Sequence, residues 1–166
     1  METKAKLTVS SAMLRDGQRL PEDMVMTGVT PTAKNMSPDL QWSGTPDGTK
    51  SFALEMHDPD APTGGIGFVH WLLFNIPADV RKLEPEFGGK GDGGVGATQG
   101  HNDYGFAGYG GAAPPPGDPP HHYILTVYAL DVPKLDLDQT TTLAKLRFVM
   151  RGHVLAQGQI TGTYGR

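Results

Sequence analysis

Two stretches of the chain alternate with period two. In residues 51–57, Phe52, Leu54 and Met56 point one way and Ala53, Glu55 and His57 the other, which predicts a strand with one buried face. In residues 122–130, Tyr123, Leu125, Val127 and Ala129 form one face and Ile124, Thr126, Tyr128 and Leu130 the other; Asp131 and Pro133 end the run. Residues 69–76 are nearly all apolar, the pattern of a central strand covered on both sides, and Pro77 stops it. Leu7, Val9 and Leu14, spaced by polar residues, predict a first strand in residues 6–14, closed by the turn chemistry of Arg15, Asp16 and Gly17. Met24, Val25 and Met26 predict a short strand within residues 21–29, and Leu40 and Trp42 another behind the Ser37-Pro38 turn signal.

Helical spacing occurs once. Leu143, Leu146, Met150, His153 and Val154 repeat across residues 140–157, with Thr140, Thr141 and Thr142 as N-cap candidates. Gly152 weakens this helix by about 1 kcal/mol relative to Ala, and Gly158 is its expected stop. Residues 159–164 are β-prone and predict a last strand. Residues 84–117 are dense in glycine, lack periodicity and end in Pro114, Pro115, Pro116 and Gly117. Tyr104, Phe106 and Tyr109 are the kind of side chains that pack, so the segment is expected to be a long ordered loop over the sheet rather than a linker. The pattern predicts a mainly β chain: an antiparallel β-sandwich formed by one domain over residues 1–166, with one C-terminal helix and long Gly/Pro-rich loops.

Composition narrows the function classes. The 166 residues carry a net charge of −4 and no run of Lys and Arg, which argues against a nucleic-acid or anionic-membrane surface. Cysteine is absent, so thiolate catalysis, disulfides and cysteine-based metal sites are excluded. The N-terminal residues lack the apolar core of a signal peptide, and no apolar run is long enough to span a bilayer, so a cytoplasmic location is expected.

The groups that carry chemistry are His57, Asp58, Asp60, His70, His121, His122 and Tyr123. Asp58 ends one strand, while His70 and His121 open two others. If these strands are neighbours, three polar side chains meet at one rim of the sheet. A serine nucleophile is disfavoured, because no G-x-S-x-G elbow exists and the serines lie far from the histidines. A metal site is disfavoured, because no H-E-x-x-H or H-x-H spacing occurs and His121 and His122 point to opposite faces of a strand. The glycines of residues 88–96 lack the G-K-[ST] of a phosphate loop. A small anion pocket fits better: histidine N–H groups, a tyrosine hydroxyl and loop amides near Gly110 and Gly111 supply donors. In such a pocket Asp58 holds a histidine charged or oriented, or accepts a proton from a ligand amine or hydroxyl. An acid–base enzyme using His70, His121 and Asp58 is the competing reading, and a scaffold with an idle pocket the third.

The motifs DPDAPTG at 58–64, HWLLFNIP at 70–77 and GYGGAAPPPGDPPHHY at 108–123 resemble the phosphatidylethanolamine-binding protein family. More closely, they resemble its prokaryotic Raf-kinase-inhibitor-like branch, the YbhB/YbcL type. NMSPDLQWSGTP at 35–46, HNDYG at 101–105 and RGHVLAQGQITGTY at 151–164 extend the likeness over nearly the whole chain. The resemblance implies a β-sandwich with a shallow pocket at one end that takes phosphate or phosphorylated headgroups, with no metal, cofactor or assigned catalytic residue. Carried over by motif, Asp58, Pro62, Phe68, His70, Pro115, His121 and Tyr123 line that pocket, with a cis bond expected at Ala61-Pro62. It also implies a homodimer and leaves room for a protein partner, although no residue here points to a kinase. Three departures stand out. His122 replaces an arginine that pairs with Asp60, making that pair pH-sensitive near neutrality. Ala112 and Ala113 alter the loop wall, and His101 stands where the branch often has arginine.

Overall fold

The computed structural model describes residues 5–87 and 91–166. In chain order the elements are β1 (Ala5–Lys6), β2 (Thr8–Ser10), a single 3-10 turn (Glu22–Met24), β3 (Met36–Ser37), β4 (Leu40–Ser43), β5 (Ser51–Asp58) and β6 (Phe68–Pro77). Then come β7 (Lys82–Leu83), β8 (Glu86–Phe87), β9 (Thr98–Gln99), β10 (His121–Leu130), α1 (Leu143–Met150) and β11 (Val154–Tyr164). The main sheet has the order β1-β11-β10-β5-β6-β9 and is antiparallel except for β1 on β11. A three-stranded sheet, β2-β4-β7, and the short pair β3-β8 complete the strand pairing.

The first expected strand is divided. Leu7 is buried between β1 on the main sheet and β2 on the smaller one, and its N–H donates to Gln157 O at 3.0 Å, so the chain changes sheets there. The run ends at Ser10 because Asp39 captures the next three residues: its carboxylate accepts from Ser11 Oγ and from the amides of Ala12 and Met13. The strand expected in residues 21–29 is instead the 3-10 turn, opened by Pro21 at φ −66°, after which Val25 makes an isolated parallel bridge to Ala112.

Apolar residues from the two main faces of the long strands feed two cores. Phe52, Leu54, Met56, Trp71, Leu73, Tyr123, Leu125 and Val127 pack together with Trp42 of β4. Ala53, Leu72, Phe74 and Leu130 pack against Leu143, Leu146 and Met150 of α1. β5 was expected to bury one face, and it buries both. Glu55 is covered on the helix side, where Arg147 of α1 grips it through Nε at 3.1 Å and a terminal nitrogen at 2.5 Å. That fork-to-carboxylate geometry is what lets a charge sit in a buried strand.

The helix is shorter than its spacing implies. Thr142 caps it, accepting from Lys145 N–H at 3.3 Å, but the last helical residue is Met150. Gly152 adopts φ +82°, a left-handed turn that glycine takes without strain, and the chain leaves as β11. Gly158 therefore lies inside a strand opposite Val127, where a Cβ would overlap the Leu7 carbonyl.

The long Gly-rich segment is ordered where it is described. β8 pairs with β3, β9 edges β6, and Tyr109 reaches across to donate its hydroxyl to Met24 O at 2.6 Å. The weak phosphate-loop candidate at 88–96 and the segment read for a leader both begin with residues outside the described ones. Among the described residues no helix is long and apolar enough to cross a membrane.

Candidate functional site

The strand order β10-β5-β6 makes neighbours of the three strands that carry the polar groups. Register does the rest. His57 sits opposite Val69 on one side and Ile124 on the other, and Asp58 sits opposite Phe68. Asp58, His70 and His121 are thus delivered to one rim of the main sheet. The hairpin between β5 and β6 closes through side-chain caps: Asp58 Oδ1 accepts the Asp60 amide at 2.8 Å, and Thr63 Oγ1 donates to Gly67 O at 3.0 Å. Gly67 is at φ +75° with His57 and Asp58 so near that a Cβ has no room.

These elements enclose a cavity of about 260 Å³. Asp58, Pro62, Phe68, His70, Pro115, His121 and Tyr123 come together in its wall. Ala61, Thr63, Tyr104, Ala113 and Pro114 complete the wall. Of the departures, Ala113 is in the wall, whereas Ala112 and His101 are not. The cis bond expected at Ala61-Pro62 is absent, and no described peptide bond is cis. A tight turn in which Thr63 N–H donates to Ala61 O at 2.8 Å reverses the chain instead.

His121 is held at both ends of its ring. Nδ1–H donates to Asp58 Oδ2 at 2.7 Å, and Nε2–H donates to Asp118 Oδ2 at 2.9 Å. Only the imidazolium carries both protons. Burial works against that charge, but the hydrogen bonds to Asp58 and Asp118 and their negative charges outweigh it and raise the pKa above the ordinary 6.5.

His70 is the opposite case. Its Nδ1–H donates to the Gly110 carbonyl at 2.7 Å. Burial lowers its pKa from 6.5 to about 4, although the carbonyls of Gly110 and Gly111 and the charge of Asp58 pull the other way. The ring is therefore neutral near pH 7, and Nε2, with no partner among the described residues, keeps a lone pair. Its ring packs against Phe68 at 4.9 Å and against Tyr123 at 5.2 Å, centroid to centroid.

Several donors expected for an anion are already engaged. Gly110 N–H donates to His70 O at 2.9 Å, and Gly111 N–H to Asn35 Oδ1 at 2.6 Å. These amides pin the loop to the sheet, where a Cβ at Gly111 would strike the Met24–Met26 backbone, so they do not face a ligand. His121 likewise offers no spare N–H while Asp118 is in place. Tyr123 is different. Its hydroxyl is buried and unpartnered among the described residues, and burial followed by the charge of Asp58 holds its pKa well above the ordinary phenol value.

Two residues of the site were not singled out as such from the sequence. Tyr104 was read only as a packing aromatic. It packs edge-on against Phe68 with centroids 4.8 Å apart, and its hydroxyl donates to Gly111 O at 2.7 Å. Burial pushes its pKa to about 12. The signal lay in its turn: Asn102 Oδ1 accepts the Tyr104 amide, and Asp103 caps Val69 N–H at 2.7 Å, fixing the loop to the start of β6. Asp118 had no periodicity to mark it, only its place three residues before His121. Asp60 accepts from both the amide and Nδ1 of His122, the latter at 2.7 Å, so histidine keeps the pairing expected of arginine. That hydrogen bond is the main reason the Asp60 carboxyl titrates below its ordinary value. Among the described residues, no group of three or more His, Asp or Glu side chains is arranged to hold a metal ion.

Known proteins place this geometry in a lineage. The family model for phosphatidylethanolamine-binding protein matches residues 10–165. The UPF0098 protein YbcL of Escherichia coli (strain K12) is 44% identical over 163 residues, covering 96% of this chain and 88% of the relative. YbhB of the same organism is 44% identical over 155 residues, covering 91% and 95%. The crystal structure of Escherichia coli YbcL, a new member of the mammalian PEBP family, superimposes with a TM-score of 0.89 at 42% identity, over 98% of this chain and 99% of that one. With its β-sandwich, its rim of Asp58, His70 and His121, and these matches along almost its full length, the chain belongs to the phosphatidylethanolamine-binding protein family.

Proposed function

We propose that this protein binds a small oxyanion, phosphate or a phosphorylated headgroup, in the cavity between Asp58, His70 and Tyr123. The observation that carries the reading is the buried Tyr123 hydroxyl in the cavity wall, without a protein partner among the described residues. Left alone, such a group costs about 1–3 kcal/mol, and a ligand oxygen in the cavity removes that cost. The imidazolium of His121 stands in the same wall and offsets the charge of the Asp58 and Asp118 carboxylates it is bonded to, which lowers their repulsion of an anion. Apolar lining from Pro62, Phe68 and Pro115 keeps the site dry, which strengthens each polar contact.

Binding is favoured over acid–base catalysis by the state of the histidines. A general base needs a free lone pair, and both nitrogens of His121 are committed to carboxylates. Of these two rings, His70 keeps one, at Nε2, among the described residues. The test is an NMR titration with inorganic phosphate and with phosphoethanolamine, following the ring resonances of His70 and His121 and the hydroxyl of Tyr123. Saturable shifts confined to these residues are expected. Shifts elsewhere, or none from either compound, would remove the proposal.

A further inference from the structure

We infer that the cavity selects an oxyanion that brings its own proton, so that monohydrogen phosphate or the protonated form of a phosphate monoester is taken in preference to sulfate. The inference rests on the oxyanion reading above and specifies the ligand class.

The hydrogen-bonding atoms left to face a ligand decide the selection. The amides of Gly110 and Gly111, the Tyr104 hydroxyl and both nitrogens of His121 already have protein partners. Among the described residues, the side-chain groups of the cavity wall that keep an unpartnered atom include one donor, the Tyr123 hydroxyl, and one ring acceptor, His70 Nε2. The acceptor character is fixed by geometry. A carbonyl can only accept, so the Gly110 carbonyl at 2.7 Å places the ring proton on Nδ1. The ring is 3% exposed and closed in by the rings of Phe68, Tyr104 and Tyr123, which disfavours a second proton.

The charged and titratable groups around His70 do not reverse this. From β5 come Asp58 and His57. Asp58 already accepts from His121 and from the Asp60 amide, and His57 is engaged at Nε2 by the Ile66 carbonyl. From β10 come Tyr123 and His121, and from the loop Tyr104, with Asp103 spent on the Val69 amide.

Sulfate offers only acceptor oxygens near neutral pH. One of them would satisfy Tyr123, but another would face the His70 lone pair. Monoprotonated phosphate satisfies both, a P–O oxygen accepting from Tyr123 and the P–OH donating to Nε2. A site built to hydrogen-bond a ligand proton rejects the analogue lacking it, because the buried polar atom is then left unpaired.

The test uses the intact wild-type protein and isothermal titration calorimetry with sodium phosphate and sodium sulfate between pH 6 and pH 9. Phosphate is expected to bind at least about tenfold tighter than sulfate near pH 7. The phosphate dianion keeps its P–OH across this range, so the phosphate-to-sulfate affinity ratio is expected to stay high. Phosphoethanolamine, titrated alongside, is a phosphate monoester that loses its last P–OH at about pH 6, and its ratio to sulfate is expected to fall by about tenfold per pH unit above that. Using the ratio cancels the ionisation of His121, Asp118 and Asp58, which both anions experience alike. A phosphate-to-sulfate ratio near one, or a phosphoethanolamine-to-sulfate ratio that does not fall with pH, overturns the inference and leaves the oxyanion site standing. Absence of binding by either anion removes the oxyanion site and this inference with it.

Discussion

Tyr123→Phe separates a structural hydroxyl from one kept for a ligand. Tyr123 is completely buried, and its hydroxyl makes no hydrogen bond within the described chain. Phenylalanine keeps the ring, its edge-on packing against His70 at 5.2 Å and its place opposite Gly162 of β11. Removing an unpaired buried hydroxyl relieves about 1–3 kcal/mol. Taken at its lower end, the gain is about 1 kcal/mol. In a chain of this size that raises Tm by roughly 2–4 °C. The same change deletes a hydrogen bond to a charged ligand, about 1.5–3 kcal/mol, and weakens phosphate binding by about ten- to a hundredfold. Urea denaturation without ligand and calorimetric titration with phosphate read the two effects separately. A variant that is less stable by about 1 kcal/mol or more and binds phosphate unchanged would show the hydroxyl to be a structural group, refuting the reasoning.

Four other outcomes are expected. His70 titrates near 4 in the fold against 6.5 when solvated, a difference of about 3 kcal/mol; the unfolded chain takes up the proton first, so stability falls as pH drops from 6.5 towards 4, and His70→Asn should flatten that limb of a pH series of urea melts. His121 behaves in the opposite sense, its raised pKa adding stability that is complete below about 6.5 and lost as pH rises through the folded value; Asp118→Asn should lower its NMR titration midpoint. Arg147→Ala strands the buried Glu55 carboxylate and should cost about 3 kcal/mol in chemical denaturation, with Glu55→Gln/Arg147→Met recovering much of it. Gly158→Ala places a methyl group on the Leu7 carbonyl and should cost about 1–3 kcal/mol or more by the same assay, whereas Gly17→Ala, with open space around it, should cost only what its φ of +76° imposes.

The long strands were legible because their signals are local. Alternation in residues 51–57 and 122–130 and the apolar run at 69–76 correspond to β5, β10 and β6, and their ends mark the rim where the site forms. What misled was equally physical. Leu143 to Val154 repeat at helical spacing, yet Val154 is the first residue of a strand, because one glycine in the left-handed region outranks side-chain periodicity. The second buried face of β5 was hidden by Glu55, a residue that reads as solvent-facing until Arg147 arrives from 92 positions away in sequence. The site residues could be named from their motifs, but not the state of their hydrogen bonds. That Gly110 and Gly111 hold the loop, that both His121 nitrogens are taken and that Tyr123 is left over all depend on contacts between distant segments.

The most direct measurement is a crystal structure of the protein grown in, or soaked with, inorganic phosphate near neutral pH. Phosphate density within hydrogen-bond reach of both Tyr123 Oη and His70 Nε2, with the His70 ring still turned towards Gly110 O, is the expected result. Phosphate bound away from these two atoms, or a cavity that admits none while sites elsewhere fill, would contradict it.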